Sequence, residues 1–469
     1  MKQSSSLPGR IISTERSSMA SEFFSLAIIS AVAFAAPVIA QVIPHKPVPE
    51  TVLLLVFGAV LGPNFLGIIH LSEAITLLSE LGLAFLFLLA GYEIEPKKLS
   101  GTEGKKGLRT WLLTFAFAVC LVHLHPSIAI GGIDAIPMAI LLSTTALGTL
   151  MPILRERELT GTKVGDAVIA YGTWGELGPI LAMAILLSTR TGWQTALILT
   201  AFTILCLIAA LVPAAARKKG SAIYRFLELK ADTTSQTFLR GTVTILVALV
   251  AFSAVFDIDI VLGAFAAGFV LRFITPEGNI SLETKLDGIG FGFLIPLFFV
   301  VSGCKIDLSA IAADPATLVR FIILLMGIRA VPVAVSLALG KTRKKYTVHE
   351  RASVALYCTT ALPIIVAVTS LAVKNGSMNS QTASIMVAAG AVTVFLMPLL
   401  AQIVYGITDR HPVDAVKEIA NAPKSTIDII KEHAHSSRTH EETDYRTIYL
   451  PKKRFDVYTR SDDVSDGSK

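Results

Sequence analysis

The chain has 469 residues, of which 53% are hydrophobic and only 16% charged, and its mean hydropathy is +0.66. Soluble domains carry about 25% charged residues, so an ordinary water-soluble fold is excluded, and the lack of alternating strand patterns excludes a β-barrel. The net charge of +6 does not call for nucleic acid, because membrane proteins gather Lys and Arg in their cytoplasmic loops.

Apolar runs of about 20 residues, each long enough to cross a roughly 30 Å hydrocarbon layer, recur from Phe23 to Tyr405. They predict an all-α polytopic membrane protein with about 13 transmembrane helices, over residues 22–43, 50–69, 73–94, 109–127, 133–154, 164–188, 192–214, 238–256, 258–275, 287–304, 315–340, 349–373 and 380–405. A polar segment, residues 1–21, precedes this domain, and a polar tail, 406–469, follows it. Only Asp257 divides the eighth span from the ninth. Asp314-Pro315 is a strong helix start, with a cap residue and then proline at the first helical position.

The connecting loops set the orientation. One set carries 22 Lys and Arg residues, among them Lys46, Lys97, Arg155, Lys163, Arg217 and Lys345, and the opposite set carries three, Arg190, Lys305 and Lys374. By the positive-inside rule the first set is cytoplasmic, which puts the N-terminus outside and the C-terminus inside. Residues 1–40 also look like a cleavable signal peptide ending Val38-Ile39-Ala40. That reading inverts every later loop against the charge count, so a retained first helix is favoured.

The tail is too short for a nucleotide-binding domain of about 100 residues. It predicts a modest helix around Ser425–His433, with His433, His435 and His440 solvated. Cys120, Cys206, Cys304 and Cys358 lie in or beside apolar segments without metal-ligand spacing and read as packing residues. Gly340-Lys341-Thr342 has Val335 where a phosphate-binding loop needs its upstream glycine. No cofactor and no resident metal are expected.

Three pairs of segments match at a nearly constant offset. Thr144-Thr145-Ala146-Leu147 recurs as Thr359-Thr360-Ala361-Leu362, 215 residues on; Ala90–Glu95 aligns with Ser302–Asp307 at 212; Gly58-Ala59 aligns with Gly263-Ala264 at 205. Each pair lies seven spans apart, so partners cross the membrane in opposite directions. This is an inverted-topology repeat, with halves of about 50–188 and 258–405 and span 192–214 as linker. Secondary transporters place their sites near midplane where such helices are interrupted. The Thr-Thr pairs mark the interruptions, being followed by Gly148 and Pro152 in one span and by Pro363 in the other.

An ionisable residue deep in a span marks function by default. Glu176 lies ten residues past Asp166, roughly 15 Å into its helix, within Gly172-Thr173-Trp174-Gly175-Glu176-Leu177-Gly178-Pro179. A carboxylate there can hold a proton or a bare cation. Arg329 is also near midplane and needs a partner, with Glu176 one candidate and Glu80 another acid to consider. A structural ion pair explains Glu80 and Arg329 equally well.

The chain resembles the second branch of the monovalent cation–proton antiporter superfamily over about residues 22–405. The matching stretches are Leu61–Gly67, Glu80–Gly91, Ser143–Ala146, Leu262–Gly268 and Pro296–Gly303. The resemblance implies a homodimer with a dimerisation domain and a six-helix core containing two crossed, discontinuous helices. Two positions depart from the family pattern. Where members carry an acid, Asn or Gln followed by Asp, this chain has Gly175-Glu176, and where electrogenic members carry Lys it has Val301. One acid without that Lys implies electroneutral exchange.

The expected function is therefore exchange of Na⁺ or K⁺ for H⁺ by alternating access across a prokaryotic plasma (inner) membrane, with no enzymatic activity. Glu176 is expected to bind cation or proton in turn, and Thr144, Thr145, Thr359 and Thr360 to supply oxygens of the kind a hard cation prefers, with Arg329 and Glu80 as supporting charges. A sodium-coupled organic-anion symporter of the same fold is the alternative, and an ion channel or an intramembrane enzyme stands further off.

Overall fold

The computed structural model describes residues 8–42, 49–94, 101–124, 133–187, 192–218, 236–275, 279–339 and 345–409. The expected tail helix and the tail histidines lie outside them. The described residues form helices α1 (Pro8–Val42), α2 (Glu50–Leu61), α3 (Glu73–Glu93), α4 (Thr102–Leu124), α5 (Ala135–Leu142), α6 (Leu147–Glu156), α7 (Lys163–Leu186), α8 (Gly192–Lys218), α9 (Thr237–Val255), α10 (Ile260–Ile274), α11 (Ile280–Ile289), α12 (Ile295–Cys304), α13 (Leu308–Ala313), α14 (Pro315–Leu325), α15 (Val331–Ala338), α16 (Val348–Tyr357), α17 (Pro363–Lys374) and α18 (Ser380–Asp409). Among the described residues, eight helical stretches are long and apolar enough to cross a membrane and five shorter ones are apolar, one for each expected segment.

Local sequence accounts for most boundaries. The expected span 50–69 is helical only to Leu61, because Gly62 turns extended and Pro63 follows. Asp257 takes a left-handed φ of 51°, which fixes the division between α9 and α10. At Asp314 the Thr317 hydroxyl and amide donate to the side chain and hold its carboxyl below the usual range, as an N-cap should. The tenth segment starts earlier than expected, at Ile280, and a π-helical turn (Gly290–Leu294) joins α11 to α12. A second such turn (Met326–Ala330) joins α14 to α15. In both cases a proline, Pro296 or Pro332, stands two residues beyond the turn. Missing its N–H, it loosens the i→i−4 ladder just where the ring widens.

The helices pack as two groups. In the first, α3 lies against α10 and α12, α2 against α12 and α1, and α10 against α8 and α9. In the second, α7 packs against α4, α5, α6, α16 and α17, and α15 against α16 and α4. The α3–α10 contact is close enough for backbone to meet backbone. A Cβ on Gly91 would strike the Phe265 carbonyl, and one on Gly268 the Leu88 carbonyl. Outward-facing Phe23, Phe34, Leu113, Trp193 and Leu211 are exposed, as suits a lipid-facing surface.

Gly91→Leu should force α3 and α10 apart, with a stability loss of at least about 1–3 kcal/mol from overpacking. Thermal unfolding in detergent should show a lower midpoint for this variant than for Ala74→Leu on the exposed face of the same helix.

Candidate functional site at the helix crossing

Two segments lose helical form in mid-course. Helix α5 ends at Leu142 and α6 begins at Leu147; α16 ends at Tyr357 and α17 begins at Pro363. The two breaks meet, the Ala146 amide donating to the Thr360 carbonyl at 2.7 Å. Ser143, Thr144, Thr145, Thr359 and Thr360 are all fully buried. Backbone groups released by a break inside a membrane must find partners in the protein or in a wet cavity, and the neighbouring helices provide several. The Thr145 amide donates to the Gly175 carbonyl at 2.8 Å and the Ala361 amide to the Thr393 hydroxyl at 3.3 Å.

The Gly175 carbonyl is free for this role because Pro179, four residues on, has no N–H to offer it. The proline within α7 thus does more than bend the helix: it supplies the acceptor that holds the first break in place.

Charge follows the ends of the half-helices. Glu176 is 2% exposed, and its carboxylate interacts with the amides of Leu147 and Gly148 in the first turn of α6. The positive end of a helix dipole favours an anion there. Arg329 is fully buried in the second π-helical turn. Its Nη2 donates to the Tyr171 carbonyl at 2.9 Å and its Nε to the Thr145 hydroxyl at 3.0 Å. That hydroxyl donates in turn to the Cys358 carbonyl, just past the end of α16. The guanidinium therefore neighbours the negative end of one half-helix, while the carboxylate sits at the positive end of another.

The structure brings some expected residues together and separates others. Arg329 and Glu176 form no ion pair among the described residues; the Tyr171 carbonyl and the Thr145 hydroxyl partner the guanidinium instead. Glu80 is exposed and its charge acts on Asp259, at the start of α10. It lies 13 residues from Glu93, about 20 Å along α3, and does not join the crossing. The Thr145 hydroxyl is engaged at both ends, and that of Thr359 donates to the Leu356 carbonyl at 2.6 Å. The Thr144 and Thr360 hydroxyls and Glu176 Oε2, all buried, have no hydrogen-bond partner among the described residues. Buried oxygens left this way call for an ion, a proton or water.

Sequence reasoning passed over Glu93. It ends α3, pairs with Arg155 of α6 across 3.3 Å and is close enough to Glu176 for their charges to interact. Its place in the repeated Ala90–Glu95 segment was the available signal. A cavity of about 370 Å³ is lined by Glu93, Glu103, Leu147, Asp166, Ala170 and Thr173 among others. Of these, Leu147 offers its amide to the Glu176 carboxylate, and Thr173 stands three residues before Glu176 on α7. Two of its lining acids carry ion pairs, Glu93 with Arg155 and Glu103 with Lys345 (2.6 Å), and Lys163, three residues before the lining Asp166, pairs with Glu350 (3.9 Å); all three cations belong to the Lys/Arg-rich set of loops.

Gly175 has a steric reason to be glycine. A Cβ there would collide with the Arg329 guanidinium and the Thr145 side chain.

Comparison with known proteins agrees with this architecture. The sequence profile of the family described as "Sodium/hydrogen exchanger, transmembrane" matches residues 28–404. YjbQ of Bacillus subtilis, a provisionally named Na(+)/H(+) antiporter, is 26% identical over 323 residues, covering 65% of this chain and 51% of its own length. The glutathione-regulated potassium-efflux system protein KefC of Klebsiella pneumoniae is 27% identical over 293 residues, covering 59% of this chain and 44% of its own. The chain thus spans about half the length of these relatives. Among solved structures, the sodium proton antiporter MjNhaP1 of Methanocaldococcus jannaschii superposes with a TM-score of 0.55 at 17% identity, covering 82% of this chain and 98% of that one. The fold is shared.

Gly175→Ala should displace Arg329 or Thr145, with a stability loss of about 1–3 kcal/mol. Thermal unfolding of the purified protein should show this loss, and Gly241→Ala, where a Cβ meets open space, should not.

Proposed function

The chain belongs to the sodium/hydrogen exchanger family, a family of transporters and not of enzymes, and on that footing we propose that it exchanges a monovalent cation for H⁺ with Glu176 as the exchanging group. The observation that carries the proposal is the placement of this carboxylate: buried, one oxygen without a hydrogen-bond partner among the described residues, and facing the amides that open α6. A group so placed is stabilised as an anion by the helix end, yet it needs a proton or a cation to complete its partners. Thr144 and Thr360, whose hydroxyls have no partner among the described residues, are the side-chain oxygens best suited to help hold the ion. Thr145 acts beside them by tying Arg329 to the end of α16.

The cavity supports alternating access. Its lining acids pair with cations of the Lys/Arg-rich loops, which the positive-inside rule makes cytoplasmic, and on this reading it represents one of the two open states. The protein works in the plasma membrane as a homodimer with its tail inside. The cation is Na⁺ or K⁺, and a potassium-efflux protein among the relatives supports keeping both.

Electroneutrality rests on Glu176 being the one acid bonded at the helix crossing among the described residues. Gly175 contributes no side chain, the expected lysine position holds Val301, buried and apolar, and Arg329 is a fixed positive charge engaged with the Tyr171 carbonyl and the Thr145 hydroxyl. One carboxylate then carries one positive charge each way.

Two measurements test this reading. Glu176→Gln should abolish cation-driven proton flux in vesicles while leaving a folded protein, since Gln keeps the volume but cannot trade a proton for a cation; substantial flux through it would refute the central role. For the wild type, the cation gradient alone should set the proton gradient at which flux stops, whatever membrane potential is clamped. One charge across 100 mV is worth about 2.3 kcal/mol, so a reversal point that moves with voltage would reveal a second charge in the cycle.

A further inference from the structure

We propose that Glu93 is a second cation-binding carboxylate, a staging point in the inward cavity that receives the alkali cation before Glu176 does. The inference rests on the exchange reading above and concerns a residue outside the helix crossing.

Three observations on Glu93 converge. It lines the 370 Å³ cavity together with Leu147, whose amide bonds the Glu176 carboxylate, and Thr173, three residues before Glu176 on α7. Its carboxylate is only half satisfied: Arg155 Nη2 holds Oε1 at 3.3 Å, while Oε2 is buried with no hydrogen-bond partner among the described residues. A buried, unpartnered carboxylate oxygen beside a cavity is a place for a cation. Finally, its charge and that of Glu176 act on each other, so a cation at either site lessens the repulsion felt at the other.

The other charges around Glu93 favour a transient site over a trap. Asp287 and Glu283 of α11 add negative potential, and Arg155 of α6 opposes it. Glu283 is itself committed, accepting the Tyr92 hydroxyl at 2.8 Å. Arg155 is largely exposed, its side chain 60% accessible, so it can swing aside as a cation arrives and return as it leaves. Arg155 also lies at the far end of the half-helix whose first amides face Glu176, so both sites bear on α6. An exposed Arg–carboxylate pair is weak enough to be exchanged in this way, and the field of an acid-lined cleft raises the local cation concentration.

The test measures initial proton flux in vesicles sorted by orientation, with Na⁺ or K⁺ added to one face at a time. Glu93→Gln should raise the half-saturating cation concentration on the cavity face by roughly three- to tenfold, keep the maximal rate within about twofold, and leave the opposite face unchanged. Glu93→Asp should stay near the wild-type value. Arg155→Gln, which removes the competing cation, should lower the half-saturating concentration on the cavity face, and this keeps the test open should Glu93→Gln not fold. Unchanged half-saturation in the folded variants, an equal rise on both faces, or a loss of maximal rate alone would overturn the assignment of Glu93. A wild type that moves no protons in response to any alkali cation would instead overturn the exchange reading, and this inference with it.

Discussion

The structure depends on one constraint: a backbone amide or carbonyl left without a partner inside a membrane costs several kcal/mol, and two helices here are broken in mid-course. Every element at the crossing can be read as an answer to that cost. The breaks bond to each other through Ala146 and Thr360. Helix α7 offers the Gly175 carbonyl, freed by Pro179, to the Thr145 amide. Arg329 joins the Tyr171 carbonyl to the Thr145 hydroxyl, which reaches the Cys358 carbonyl beyond the end of α16. A solution that satisfied every group would be inert. Among the described residues, this one leaves the Thr144 and Thr360 hydroxyls and one oxygen of Glu176 unmet.

The same constraint orders the charges. A half-helix ends inside the protein with its dipole uncompensated, so an anion at its start and a cation at its end are stabilised where either alone would be costly. Glu176 and Arg329 need not pair because each answers a different helix end. Their separation matters chemically, since a carboxylate neutralised by a permanent guanidinium partner would have little call for a proton or a metal cation.

Packing between the two helix groups shows how such a site can be both rigid and accessible. Backbone-to-backbone contact at Gly91 and Gly268 makes α3 and α10 a firm wall. Across the cavity, α6 meets that wall at the Glu93–Arg155 pair, which is polar and partly exposed. A dry glycine seam resists sliding because its fit is steric, whereas a hydrated ion pair can break and re-form at small cost.

The sequence by itself determined a great deal. Hydropathy counted thirteen apolar segments because each must match a fixed hydrocarbon thickness, and the Thr-Thr offset of 215 residues located both interruptions because an inverted repeat preserves local chemistry. The acid at position 176 stood out because charge within an apolar run has few explanations. The tertiary structure decided which groups meet. Whether Arg329 turned to Glu176 or to the Tyr171 carbonyl depended on a π-helical turn, and whether Thr144 or Thr145 kept a free hydroxyl depended on the Cys358 carbonyl, 213 residues away. Glu80 and Glu93 lie on one helix and look alike in sequence; only the packing of α6 against the far end of α3 sets Glu93 beside the cavity and leaves Glu80 exposed. Periodicity and composition report what each segment must bury, but the partner of a buried polar atom is fixed by long-range contact, which no local pattern encodes.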